Sequence, residues 1–176
     1  MKSVLWRMFV AVLLGSVVPS VIQAAELKDI VNFHPIDNGL ITAGQVLPEH
    51  IAALDDAKVE LVVNLAVASL ERNGQEGFLL TNEAINYVQI PVMWDKPTAA
   101  DLQLFYAVMD GRGERKTLVH CFANFRASAF TYLYRVTQLG VDEAEARKDL
   151  EVVWSDEAFV EAPQWREFID SHLSDR

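Results

Sequence analysis

Val119 to Phe130 reads V-H-C-F-A-N-F-R-A-S-A-F and holds Cys121, the only cysteine among 176 residues. A lone cysteine is ordinarily a small, buried apolar residue. Its neighbours here argue for a nucleophile. K-T-L-V-H-C (Lys116–Cys121) has the pattern of an apolar strand and Arg126 begins a helical one, so Cys121 stands at a strand-to-helix turn. At the carboxyl end of a strand in an α/β sheet, loop amides and a helix N-terminus converge, which suits an anion and favours the reactive thiolate. An arginine at a helix start opposes the macrodipole unless an anion is close. Cys121 and Arg126 are therefore read as nucleophile and oxyanion ligand, with Phe122, Ala123, Asn124 and Phe125 as the substrate-binding loop between them. The two phenylalanines wall a pocket or fill core. His120 alternates to the other face of the strand and is read as support for the loop rather than as a base. Ser128 is either a plain helix residue or a hydroxyl at the thiolate.

Short apolar runs alternate with amphipathic segments of helical length, which predicts a single three-layer α/β domain with a mainly parallel sheet of four to five strands. The predicted strands are 39–42, 60–65, 86–92 and 116–121. Val and Ile dominate them, as in strands covered on both faces. Helices are predicted over 48–57, 75–85, from a Thr98 cap to Asp110, over 126–139 up to Gly140, and over 142–150 and 163–173. Leu102, Phe105, Tyr106 and Met109 give the third of these one apolar face.

The amino terminus carries Lys2 and Arg7, an apolar run from Met8 to Val18, the break Pro19-Ser20 and the small-residue site Ile22-Gln23-Ala24. This is the pattern of a cleaved secretory signal peptide over residues 1–24, too short an apolar run for a span, and it predicts a periplasmic or secreted domain of residues 25–176 with no membrane attachment after cleavage. That domain has 13 basic and 25 acidic residues, a balance that excludes nucleic acid and anionic lipid as partners. His34, His50, His120 and His172 show no metal-ligand spacing, so neither a metal nor another cofactor is expected.

Strand, His-Cys, tight loop, Arg and Ser resemble the signature loop of the cysteine-dependent protein tyrosine and dual-specificity phosphatases. More narrowly, G-L-I-T-A-G-Q, V-V-N-L, the I-P-V stretch and H-C-x-A-N-x-R-A-S-A-F are similar to a small bacterial branch of phosphatase-like proteins, found alone or fused to a hydrolase domain. The resemblance spans nearly all of residues 25–176. It implies a phosphocysteine intermediate on Cys121, a phosphate grip by Arg126 and an upstream general acid, for which Asp95 in I-P-V-M-W-D-K-P-T resembles the acid-bearing loop. By the same resemblance Gly44 and Gln45 are a site rim, against the alternative of a turn glycine and an exposed amide. The usual loop has five residues between Cys and Arg, and here there are four. Ser128 keeps the place of the usual Ser or Thr, Asn124 takes that of a glycine and can adopt its left-handed backbone, and Arg126 stands one position early. One residue on a helix start turns a side chain by about 100°, so an ill-aimed fork and weak turnover are expected. Three readings stand: a metal-independent phosphate-monoester hydrolase acting on a phosphorylated small molecule or protein; a rhodanese-like sulfurtransferase, whose loop has four residues before its Arg or Thr; and a catalytically impaired module that binds inorganic phosphate, sulfate or a protein.

Overall fold

The computed structural model describes residues 25–174. The predicted signal peptide lies outside them. The described chain begins with a 3-10 turn at Leu27–Asp29 and continues through β1 (His34–Pro35), β2 (Leu40–Ala43), a 3-10 turn at Pro48–His50, α1 (Ile51–Asp56), β3 (Leu61–Asn64), α2 (Glu76–Asn82) and β4 (Asn86–Gln89). Then come α3 (Ala99–Gly111), β5 (Thr117–His120), α4 (Phe125–Thr137), α5 (Glu143–Glu151), α6 (Asp156–Glu161) and α7 (Pro163–Ser174). The five strands are ordered β1-β2-β5-β3-β4, all parallel except the β1–β2 pair. β5, which ends next to Cys121, is the central strand, and every residue of β2, β3 and β5 is buried.

Side-chain alternation divides the core into two layers. Leu40, Leu61, Val63, Val119 and Cys121 face the helices of the carboxyl-terminal half, packing with Phe105, Phe130, Leu150 and Trp165. Ile41, Val62 and Leu118 face the other way, against Ile51, Leu54 and Leu80 of α1 and α2. This is the three-layer arrangement that strands apolar on both faces require.

The differences from the predicted elements have local causes. The strand expected over 86–92 ends its ladder at Gln89, although Ile90 still donates to Asn64 O at 2.8 Å; Pro91 carries no N–H to continue it. The proline-led helix expected from 48 begins as a 3-10 turn, and the helix expected to reach 85 stops at Asn82, where Ala84 turns the chain with φ 59°. β1 and α6, at two and six residues, were not predicted. The Thr98 cap is present, its hydroxyl accepting from Asp101 N at 3.2 Å, and Gly140 leaves α4 with φ 66°.

Candidate active site

β5 delivers Cys121 to the layer boundary, and the chain then turns through Phe122–Asn124 into α4. Asn124 makes that turn with φ 68° and ψ −12°, the left-handed backbone that asparagine tolerates. Its side chain does not cap α4. It reaches back instead, Nδ2 donating to Asn32 O at 2.6 Å and to Thr42 Oγ1 at 3.1 Å, while Asn32 Nδ2 donates to Ala123 O at 3.0 Å. This reciprocal pair of asparagines ties the loop to the segment before β1. Gly44 lies beneath it, where a Cβ would stand 2.7 Å from Val31 O and 3.3 Å from the Ala123 Cα. Gly44 is thus a close-approach glycine under the loop.

With the loop held in this way, the amides of Phe122, Ala123, Phe125, Arg126 and Ala127 make no hydrogen bond among the described residues. Free first-turn donors are the groups that can receive an anion. A cleft of about 210 Å³ opens there, lined by Trp94, Cys121, Phe122, Ala123, Phe125 and Arg126. Cys121 is 2% exposed at its floor.

Arg126 is turned into this cleft. Its side chain is 7% exposed, Nε and Nη1 have no partner among the described residues, and its guanidinium carbon lies 5.5 Å from the Phe122 ring centroid and 5.7 Å from that of Trp94. Burial pushes its pKa below the ordinary arginine value; attraction to Cys121 works against this, and repulsion from Arg72 adds to it. Ala127, where five intervening residues would put the arginine, is fully buried in the core. Arg126 thus lines the cleft from the position at which it stands, one residue earlier than the usual arginine.

The remaining sequence candidates fall in other places. Ser128 is absent from the cleft; its hydroxyl donates to Asn124 O at 2.9 Å and Phe125 O at 3.1 Å, and it lines a crevice with Thr131, Arg135 and Asp149. It fastens the start of α4 and does not face the thiol. Gln45 is buried rather than at the rim, with Nε2 donating to Val46 O at 2.8 Å and to Glu76 Oε2 at 3.4 Å. Asp95 is exposed and lines a separate groove with Gln164 and Glu167, whereas its neighbour Trp94 is the residue that enters the cleft. Trp165 Nε1 holds that tryptophan by donating to Trp94 O at 2.9 Å.

Behind the loop is a buried polar cluster of which sequence reasoning named only His120. His120, fully buried on the face opposite Cys121, has Nε2 2.5 Å from Glu76 Oε1. Asn64 Nδ2 donates to Glu76 Oε2 at 3.2 Å and to the Tyr87 hydroxyl at 3.0 Å. The Tyr87 pKa is pushed up to about 12, first by burial and then by the charge of Glu76. Asn64 was visible as a polar residue inside V-V-N-L; Glu76 had no such local signal.

A mostly parallel sheet with a cysteine loop at the end of its central strand is the fold of the tyrosine and dual-specificity phosphatases, and solved structures of that class superpose on it. P. aeruginosa TpbA, as a cysteine-to-serine variant in complex with pTyr, matches with TM-score 0.64 and 17% identity over 85% of this chain and 91% of that one. The core catalytic domain of the PP-IP phosphatase SIW14 from S. cerevisiae, in complex with citrate, matches with TM-score 0.64 and 14% identity over 79% and 83%. A DUF442 structure from Shewanella putrefaciens CN-32 is 32% identical, with TM-score 0.74 over 85% of this chain and 93% of that one. The chain therefore belongs to the DUF442 family of phosphatase-like proteins. No family model matches the chain, and no curated protein does.

Proposed function

We propose that the protein is an exported, metal-independent phosphate-monoester hydrolase that works through a phosphocysteine on Cys121. The observation that carries this reading is the buried guanidinium of Arg126, unpartnered at Nε and Nη1 and lining one cleft with the only cysteine. A buried cation without a partner is costly unless its site is made for an anion. Bound phosphate would accept from the loop amides and from Arg126, placing phosphorus against the sulfur. The thiolate attacks, an S–P bond forms and the P–O bond to the leaving group breaks. Water then attacks phosphorus, the S–P bond breaks, and inorganic phosphate leaves. Asp95 is the proposed donor of the proton that the departing oxygen takes, acting when the Trp94–Pro97 segment brings it over the cleft from which it is displaced here. Secretion into the periplasm or beyond follows from the signal-peptide pattern of residues 1–24.

The test is hydrolysis of 4-nitrophenyl phosphate with chelator present. Turnover is expected in wild type and lost in Cys121→Ser, which still binds inorganic phosphate because backbone amides make the cradle. Absence of wild-type turnover, or its survival in Cys121→Ser, rejects the proposal. Spacing of four residues between Cys121 and Arg126 also suits a sulfurtransferase, and thiocyanate formed from thiosulfate and cyanide in place of phosphate release would establish that reading.

A further inference from the structure

Arg72 lies beside the cleft, stacked on Phe122 from a segment outside the cysteine loop. It sits on a turn after β3 whose shape is fixed from within: buried Asn73 accepts from Ser69 N at 2.7 Å through Oδ1 and donates to Val67 O at 3.1 Å through Nδ2. The Arg72 amide donates to Ser69 Oγ at 3.3 Å. Gly74 packs so closely on Leu70 that a Cβ there would lie 2.7 Å from the Leu70 carbonyl oxygen. This turn sets the guanidinium carbon of Arg72 3.5 Å from the ring centroid of Phe122, the residue that follows Cys121. A guanidinium stacked on an aromatic face keeps its N–H edge free for a planar anion.

The charges around this opening are one-sided. No carboxylate lines the cleft, and none pairs with Arg72 among the described residues. Arg72 and Arg126 repel each other across the opening. One phosphate on Arg126 satisfies the inner cation and leaves the outer one at the rim, where the ester's leaving group must pass. Arg72 also lines a second cavity of about 280 Å³, apolar at Leu47, Ile51, Leu70 and Leu79 and acidic at Glu71 and Glu76, whose apolar part offers room for the body of that group.

We propose that Arg72 is a specificity residue that binds a second anionic group on the substrate, so that the preferred substrates are phosphate monoesters whose leaving group carries a further carboxylate or phosphate. This rests on the hydrolase reading and adds a substrate class to it. The probes are 4-nitrophenyl phosphate and its 3-carboxy derivative, compared by the ratio of their kcat/KM values. Wild type is expected to favour the carboxylated ester about 3- to 10-fold, the range of a partly exposed charge-assisted contact. In Arg72→Ala the ratio should fall to about one, and Arg72→Lys should restore part of it, which a purely structural role would not do. A wild-type ratio near one, or an unchanged ratio in Arg72→Ala, overturns the proposal. If neither ester turns over, the hydrolase reading fails separately, and the same comparison is made by calorimetry in Cys121→Ser. There, tighter binding of the carboxylated ester that disappears on adding Arg72→Ala supports the Arg72 contact; equal binding rejects it.

Discussion

Arg126 combines burial, positive charge and unsatisfied donors, and each property has a measurable consequence. Removing one aligned oxyanion donor typically costs about 10² to 10³ in rate, so Arg126→Ala should lower kcat by that factor, and Arg126→Lys should recover little because a point charge cannot grip two oxygens. The same residue should burden the empty fold. Arg126→Met replaces an unpaired buried charge with an apolar side chain of similar length and is expected to raise Tm by about 2–8 °C in thermal unfolding, while inorganic sulfate raises the Tm of wild type more than that of the variant, which keeps only the amide cradle. A lower Tm in Arg126→Met would mean that the guanidinium is structurally satisfied. For Asp95 the sharper readout is the leaving group: Asp95→Asn should slow phenyl phosphate about 100-fold more than 4-nitrophenyl phosphate, since a general acid matters in proportion to the basicity of the departing oxygen. Equal slowing of both esters removes Asp95 from the mechanism.

The cysteine loop keeps its form because three separate elements hold it: Asn32 before β1, Gly44 after β2 and Asn64 with Glu76 behind β5. Gly44→Ala inserts a Cβ against Val31 O and Ala123, and is expected to cost about 1–3 kcal/mol in denaturant unfolding together with most of the activity. The polar cluster predicts an alkaline effect. Tyr87 has its folded pKa raised to about 12, so its contribution to stability is complete below the unfolded value near 10 and is lost as pH rises through the folded one. Tyr87→Phe should remove that share of the fall in stability between these pH values; an unchanged alkaline limb would show that Tyr87 does not contribute. How legible each part was in the sequence follows from how local its cause is. β2, β3 and β5 were readable as short apolar runs, and Cys121, Asn124 and Arg126 as successive parts of one strand-loop-helix turn. Trp94, Arg72, Asn32 and Glu76 reach the site or its support only through tertiary packing, from four different segments, and no periodicity marks them. For Ser128 the sequence left open a plain helix residue or a hydroxyl at the thiolate, because counting from Cys121 fixes its distance along the chain and not the side of α4 that it occupies.

At the scale of the whole molecule, an acidic chain of net charge −10 sets Arg126 inside and Arg72 beside one cleft of a phosphatase-like fold, neither paired with a carboxylate among the described residues. Long-range repulsion of an anionic substrate by such a surface is screened by salt, whereas the short-range grip inside the cleft is affected less. Moderate salt is therefore expected to raise the association rate of phosphate esters in stopped-flow binding, and a falling rate would mean that the cleft's positive field already dominates at a distance. Export is read on the intact chain: protein recovered from the periplasm should have a mass that lacks Met1 to Ala24, and a mass that includes them contradicts the secretion proposal. The covalent step gives the most direct test of the account. Rapid acid quench during turnover of 4-nitrophenyl phosphate, followed by mass spectrometry, should find one phosphoryl group on the peptide that contains Cys121 and none in Cys121→Ser; product released with no phosphoryl group on Cys121 at any quench time, or one carried on another residue, would contradict a phosphocysteine mechanism.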